Sequence, residues 1–534
     1  MQLPNSRTFA GLMDEMAARF GARNFLTVGD KRLSYSEFRG EVRQLAKGLH
    51  ALGVRRGDKV ALLMGNQAEW LIADFAVTSL GAILVAVNTW WKQSELQHAL
   101  VATETSVLLM VDSYLGNDYL SVLNGMGDLG EVCPRLRHLV VLGASIPANA
   151  LRYEALLEGG RAVPDAVIDA AQQAVDPDDT AYLLFTSGST SRSKAVRLTH
   201  RGCIENCHGI GENMHLTEQD RMLIPTSMFW SFSCVNALFA VMTHGGSLVL
   251  LFKYDTGDML RQIEQERCTG AYTLPHIVQA LREHPDLNTR DLSSWRTGIC
   301  RSSLVDIMAQ IGPREMVTGY GLTECYGHSV QTDGRSPLSE RRRHCGRPLP
   351  GVEMKVIDPE TGLLVPAGTA GEILLRGHAT PGYYNDPERT REAIDAEGWF
   401  HTGDVGVLDD AGMLAFKGRF KELIKTGGIN VSPADVEEVL MDHPDVQQAV
   451  VVGIPDAARD EIVAAMVVVK PGAQVDPSAL IAHCRRTAAV FKVPRFLQLV
   501  TEQDIPLTDT GKVHKGRAQT LLSSLYQDQP KETP

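Results

Sequence analysis

The sequence predicts an α/β protein. A large amino-terminal domain of two doubly wound α/β halves, with a small β-barrel-like subdomain, precedes a small carboxy-terminal α+β domain. Three observations carry this expectation. Short, wholly apolar runs alternate with helical patterns through the first two thirds of the chain. The texture changes near Gly346 to short alternating runs broken by Gly and Pro. A compact mixture of helix and strand patterns then begins near Lys421.

Taken in order, KVALLMG (59–65), GAILVAV (81–87), SVLLMVD (106–112) and HLVVLG (138–143) are apolar on both faces. That is the mark of parallel strands covered by crossover helices. The alternation returns in GSLVLLF, AYTLP (271–275) and REMVTGYG (314–321), hence the expectation of a second, similar half. Phe229–Phe252 contains no Asp, Glu, Lys or Arg and is the stretch to test for membrane insertion. Its Ser231, Ser233, Asn236, Thr243 and His244, and the pair Gly245-Gly246, predict instead a helix to about Thr243, a glycine turn and a buried strand. GRPLPGVEMKVID, GEILLRG and GMLAFKGR read as a small β region. Beyond Lys421 come a helix over 433–442, strands VQQAVVVGIP and EIVAAMVVVK, and a helix over 477–486. The polar tail after Leu522 is expected to fray. The expected domains are therefore 1–420 and 421–534.

With 534 residues, 44% hydrophobic and 22% charged, the chain is an ordinary globular protein with room for several cores. Lys and Arg total 52 against 64 Asp and Glu, a formal charge of −12. Nucleic acids and anionic membranes are bound through basic faces, so neither is an expected partner. A local cradle for a small polyanion remains open. None of the nine cysteines forms a CxxC pair. Cys203 and Cys207, one helical turn apart with His208 alongside, lack a second ligand pair and read as core. The odd cysteine count and a start (MQLPNSRTF) without a basic–apolar signal region predict a reducing cytoplasm.

The most informative segment is LFTSGSTSRSKAVRLTH (184–200). An apolar strand end runs into hydroxyls and glycine, then one lysine, then a helix start near Thr199. Small residues let backbone N–H groups approach phosphate oxygens, hydroxyls add donors, and Lys194 supplies a point charge. On composition alone a Ser-rich surface loop fits as well. The Walker A pattern is missing, which disfavours a P-loop NTPase.

This segment resembles the phosphate loop of the adenylate-forming superfamily: acyl-CoA synthetases, nonribosomal adenylation domains and luciferases. The resemblance continues in family order through GYGLTE (319–324), GEILLRG (371–377) with PGY (381–383), and GWFHTGD (398–404). It extends to GRFKELIK (418–425) with Gly427-Gly428, and to PLTDTGK (506–512). It implies a reaction in which a carboxylate attacks the α-phosphate of ATP and pyrophosphate leaves. Such a reaction is catalysed mainly by charge neutralisation and positioning.

By that resemblance, Thr186, Ser187, Gly188, Ser189 and Thr190 hold the β- and γ-phosphates with Lys194. Glu324, with Thr190, holds Mg²⁺, a hard cation suited to carboxylate and phosphate oxygens. Thr323 meets the α-phosphate, Tyr320 stacks on adenine with Gly321 beside it, and Asp404 accepts both ribose hydroxyls. Arg419 and Phe416 also face the nucleotide. Lys512 lies on a mobile carboxy-terminal domain and reaches the reacting oxygens only during adenylation. The family's hinge falls on Lys421; rotation there withdraws Lys512 and brings Lys425, Gly427 and Gly428 to a pantetheine tunnel. Without the resemblance, Glu324 reads as a surface acid, Asp404 as a turn residue, Tyr320 as core and Lys512 as a solvated lysine.

The sequence departs from the family at Ser191 and Ala195, where glycines are usual, and at Ser193, usually proline. It departs again at Arg301-Ser-Ser-Leu304 for Gly-Gly-Ala-Pro, at Met228-Phe-Trp230 for Leu-Phe-His, and at Lys515 for arginine. Arg301 either pairs with a polar substrate group or points to solvent. The expected acyl lining is Trp230, Ser231, Phe232, Val235, Arg301, Ser302, Gly319, Gly327 and His328, part of which also serves as core. No Asp stands where amino-acid-activating domains hold an ammonium, and the glycines with Ser302 predict a roomy pocket. A fatty, aryl or polycyclic carboxylic acid follows as the substrate class. The expected protein is a free-standing acyl-CoA synthetase using ATP, Mg²⁺ and coenzyme A, since no carrier domain follows residue 534. A ligase loading a carrier protein and a nucleotide-binding pseudo-enzyme are the alternatives. Relatives are often homodimers, but no residue here decides it.

Overall fold

The computed structural model describes residues 2–186, 193–426, 429–456, 459–508 and 513–527. Two units emerge from the packing: Met1–Met354 with Leu375–Phe400, and Lys355–Leu374 with His401–Pro534.

The first unit is built on two seven-stranded sheets. One runs Lys194–Thr199, Thr180–Thr186, Ile83–Ala86, Lys59–Leu63, Val107–Val111, His138–Leu142, Leu151–Arg152. The other runs Glu315–Val317, Thr297–Ile299, Gly270–Tyr272, Arg221–Ile224, Ser247–Leu250, Asn24–Val28, Lys31–Ser34. Each is parallel except for one antiparallel edge pair, 180–186 with 194–199 and 24–28 with 31–34. The apolar runs of the sequence are their inner strands, and Val60, Leu62, Leu84, Leu108 and Val140 are completely buried. Strands covered on both faces have no reason to alternate. The parallel strands of each sheet end at a common edge, where an open α/β sheet places its ligand.

The uncharged stretch folds as a π-helical turn, Phe232–Ala237, then the helix Leu238–Met242. Gly245, in the left-handed region at φ +70°, turns the chain into the strand Ser247–Leu250. No helix among the described residues is long and apolar enough to cross a membrane.

In the second unit, the long strands Val446–Asp456 and Asp460–Val469 pair antiparallel, and Phe496–Leu499 adds to the latter in parallel. Alternate side chains feed two cores. Val451, Val463, Ala465 and Val467 pack with Val436, Leu440, Leu480 and Cys484 of the helices Pro433–Met441 and Pro477–Thr487. Val450, Val452, Ala464 and Met466 pack with Ala518 and Leu522 on the opposite face. The expectation of fraying after Leu522 is corrected for residues 523–527; residues 528–534 lie outside those described. The helix Lys515–Gln527 continues past Leu522, because Tyr526 packs its ring on Phe496 at 5.4 Å between centroids. A four-stranded sheet, Val352–Ile357, Ala370–Gly377, Phe400–Leu408 and Leu414–Arg419, supplies the β region that the sequence predicted after Gly346.

Candidate active site

In the first unit the segments singled out by sequence meet at the carboxyl edges of the two sheets. Thr186 ends its strand opposite Lys194. Segment 380–384 then lies along the 194–199 strand: Tyr384 N donates to Ala195 O (2.9 Å), Arg197 N donates to Gly382 O (3.1 Å), and Thr380 Oγ1 donates to Arg197 O (2.6 Å). This places Lys194 Nζ over the Tyr383 ring, 5.2 Å from its centroid, within cation–π range.

The Tyr383 hydroxyl donates in turn to Glu324 Oε1 at 3.1 Å, while Thr380 N donates to Glu324 O at 2.6 Å. Burial, and then the Glu324 charge, push the Tyr383 phenol well above its ordinary value, so it stays a neutral donor. Glu324 itself sits in the 3₁₀ turn Thr323–Cys325, entered from the strand Gly319–Leu322. Tyr326, in the left-handed region at φ +60°, closes that turn and bonds Thr199 Oγ1 at 3.0 Å. Thr199 caps the helix His200–Asn213 by accepting from Gly202 N. A Cβ on Gly202 would fall 2.1 Å from the Tyr326 ring, so glycine is what lets ring and helix meet. The phosphate-loop exit and the Thr323-Glu324 turn are thereby fixed to one helix end.

The residues of the expected acyl lining stand on the same edge. Trp230 follows the strand Arg221–Ile224, Arg301 follows Thr297–Ile299, and Gly319 follows Glu315–Val317. Thr323 and Ser231 hydroxyls lie 3.0 Å apart, joining the Thr323–Cys325 turn to the segment that leads into Phe232–Ala237. Phe232 meets Tyr272 edge-to-face (4.9 Å between centroids) and lies 6.4 Å from His328. Val235 is fully buried, while Arg301 is exposed and has no ion-pair partner among the described residues. Ser302 opens a 3₁₀ turn.

The two glycines of the expected acyl lining lie in close contact with neighbouring side chains. A Cβ on Gly319 would strike His328 Nδ1 at 2.4 Å, and one on Gly327 would strike Asn236 at 2.8 Å. These glycines make room for the neighbouring side chains of His328 and Asn236. Burial pushes the His328 imidazole down to about 4, keeping it neutral.

In the second unit, GEILLRG and GWFHTGD brace each other. Glu372 accepts from Gly403 N (3.1 Å) and pairs with His401 Nδ1 (3.2 Å), and Thr402 Oγ1 donates to Ile373 O (2.7 Å). Gly403 has φ +67°, a turn conformation that favours glycine. Asp404 is 4% exposed and faces Arg419 across the strand pair, with Arg419 Nε donating to its Oδ1 at 3.1 Å. Phe416 is 41% exposed on the same strand as Arg419. Lys421 lies in the turn Phe420–Glu422, and Lys425, exposed, donates its backbone N–H to Glu461 Oε2 at 2.8 Å.

Ser187, Gly188, Ser189, Thr190, Gly427, Gly428 and Lys512 lie outside the described residues. Tyr320, 6% exposed, and Gly321 lie on the strand leading to Glu324.

Residues 13–384 match the AMP-binding enzyme family, and residues 435–512 match the AMP-binding enzyme C-terminal domain. The chain belongs to this adenylate-forming family. It is an AMP-forming acid–thiol ligase. It is 34% identical to YngI of Bacillus subtilis over 527 residues, 95% of this chain and 96% of that one. It is 33% identical over 522 residues to the 3-[(3aS,4S,7aS)-7a-methyl-1,5-dioxo-octahydro-1H-inden-4-yl]propanoyl:CoA ligase of Mycobacterium tuberculosis, covering 96% and 99%. Among solved structures, the anthranilate CoA ligase AuaEII in complex with anthranoyl-AMP has a TM-score of 0.86 at 26% identity, covering 99% of this chain and all of the other.

Four residues in contact with these segments were not singled out by the sequence. Tyr383 was visible only as part of a motif, without a role. Thr380 precedes that motif. Trp90 follows the strand Ile83–Ala86 and makes edge contacts with Phe229 (5.7 Å) and Trp230 (5.3 Å). Asn66 follows Lys59–Leu63; its Nδ2 donates to Thr226 O and Leu251 O, and its Oδ1 accepts from Met228 N. Both of the last two stand at strand ends far in sequence from the gate, where only topology reveals them.

Proposed function

We propose that the protein is an ATP-dependent acyl-CoA synthetase for a hydrophobic fatty, aryl or polycyclic carboxylic acid. It converts acid and ATP to acyl-AMP and pyrophosphate, then acyl-AMP and CoA to acyl-CoA and AMP. The observation that carries this reading is the Lys194–Tyr383–Glu324 chain of contacts, joined through Thr323 to Ser231 behind the Trp230 gate. It sets a cation, a carboxylate and hydroxyls beside an aromatic wall, as transfer between a polyphosphate and an apolar acid requires. Two similar proteins named for a bicyclic propanoyl and an anthranilate CoA ligase support a ring-bearing acid.

Glu324 and Thr190 are the residues to hold Mg²⁺, and the oxygen donors fit a hard cation. When bound, the ion neutralises phosphate charge. Thr186, Ser187, Gly188, Ser189 and Lys194 bind the β- and γ-phosphates, Thr323 the α-phosphate, Tyr320 and Gly321 the adenine. Asp404 takes the ribose hydroxyls, with Arg419 and Phe416 beside it. Lys512 neutralises the reacting oxygens in the first half-reaction. Rotation about Lys421 withdraws it and brings Lys425, Gly427 and Gly428 to the CoA arm.

The test separates the half-reactions. Lys512→Ala is expected to lower pyrophosphate release by at least about 100-fold while still converting supplied acyl-adenylate and CoA to thioester. Equal loss of both steps would overturn the role of Lys512. Failure of the unaltered protein to release pyrophosphate across a carboxylic-acid panel would overturn the function. Comparing CoA with a pantetheinylated carrier protein as acceptor identifies the thiol.

A further inference from the structure

The helix capped by Thr199 carries a second chemistry at its far end. His208 and Glu212, one turn apart, present their side chains on one face of His200–Asn213. His244, from the turn after Leu238–Met242, completes a group whose candidate ligand atoms all lie within 4.8 Å of one another. The His208 and His244 rings stack at 4.7 Å with 13° between planes. Gly211 makes this approach possible, since a Cβ there would lie 2.4 Å from the His244 ring.

The hydrogen bonds of His244 define which nitrogen is offered. Nδ1 lies 2.8 Å from Ala240 O, which only accepts. The Thr243 hydroxyl, 3.1 Å from Nδ1, spends its proton on Phe239 O at 2.7 Å. Nδ1 therefore carries the hydrogen, the backbone-carbonyl support typical of a metal-ligating histidine. Nε2 points at Glu212 Oε1, 2.8 Å away. A positive charge between them, a proton or a metal ion, satisfies both at that distance. His244 is wholly buried, whereas the Glu212 side chain is 44% exposed, which opens the group to solvent on one side.

The geometry points to a divalent transition-metal site, best suited to Zn²⁺, formed by His208, Glu212 and His244 with solvent as the remaining ligand. Two imidazoles and a carboxylate are borderline donors that select zinc-like ions over Mg²⁺. Ligand atoms around tetrahedral zinc stand about 3.4 Å apart, which rotation of the exposed Glu212 side chain can reach. The site is separate from the nucleotide: Glu212 lies about 18 Å along the helix from His200, at 1.5 Å per residue. Its ion would clamp together the carboxyl ends of two helices whose amino ends carry Thr199 and the Trp230 gate, so its role is structural.

Zinc affinity measured on the full-length protein against a competing chelator, with metal content after desalting, tests the site. The protein is expected to retain about one equivalent of zinc, and zinc to raise its melting temperature. Glu212→Gln, a change at a solvent-exposed side chain, is expected to weaken zinc binding more than about ten-fold and abolish the thermal shift. Co²⁺ should give tetrahedral visible bands that this variant and His208→Gln lack. Zinc retention that is absent, or equal in the unaltered protein and Glu212→Gln, overturns the site. A Glu212→Gln variant less stable than its parent with no zinc effect in either also overturns it, and makes the group an ion pair.

Discussion

Each unit positions one motif carboxylate, and the two are held by different kinds of partner. Glu324 receives a hydrogen bond from Tyr383, a phenol that burial keeps neutral. Asp404, 4% exposed, receives one from the Arg419 guanidinium, a permanent cation. The first bond orients a carboxylate without adding charge; the second orients and compensates it. A carboxylate meant for a divalent ion must keep its charge, while one meant for neutral ribose hydroxyls needs only fixed lone pairs and tolerates a cation at its back. The difference in partner fits the two roles proposed above, which residue type alone leaves identical.

Removing the two charges one at a time tests that contrast hardest. Glu324→Gln is expected to lower pyrophosphate release by about 100-fold or more, because transition-state charge stabilisation is lost. Added Mg²⁺ should recover only part of it. Asp404→Asn keeps an acceptor of the same shape and is expected to raise the KM for ATP about ten-fold, with kcat changed less. If both variants lose kcat equally and respond equally to Mg²⁺, the distinction between the carboxylates fails.

A smaller effect is expected from Tyr383→Phe. The ring that Lys194 covers remains, and only the hydroxyl on Glu324 is removed. One hydrogen bond to a charged group corresponds to a loss of about ten-fold, and it should appear as a higher Mg²⁺ requirement with KM for the acid unchanged. A loss confined to the acid's KM would reassign Tyr383 to the acyl side.

The strands of the first unit were legible because full burial removes any reason for polar residues, as at Leu62 and Val140. Lys194, Glu324 and Asp404 stand out in the sequence through short motifs, where local turn geometry constrains neighbouring residues together. Trp90 and Asn66 do not. They act at strand ends from which the chain has already departed, and their partners lie more than a hundred residues onward. Gly319 and Gly327 are ambiguous for a related reason. A glycine in sequence announces close approach, but whether a ligand or a side chain makes that approach depends on packing; here His328 and Asn236 do. The cluster around His244 was overlooked because its ligands come from two helices, and the adjacent cysteines drew the comparison toward sulfur sites.

At His200 burial outweighs a neighbouring charge, that of Asp179, which acts in the opposite direction. The residue is completely buried against Phe9, whose N–H donates to Nδ1 at 3.2 Å. Burial pushes its imidazole from 6.5 down to about 4. In the unfolded chain it binds a proton near pH 6.5, whereas in the folded protein it stays neutral to about pH 4. Between these values the unfolded state holds more protons, so the contribution of His200 to stability is fully present above pH 6.5 and is lost as pH falls toward 4. From pH 7 to pH 5 the expected loss is about 2 kcal/mol. Chemical denaturation of the protein and of His200→Gln at both pH values measures it as a double difference, in which the other titrating groups cancel. Identical pH dependence in the two proteins would mean that the folded state accepts a proton at His200, and that burial alone does not hold a group neutral there.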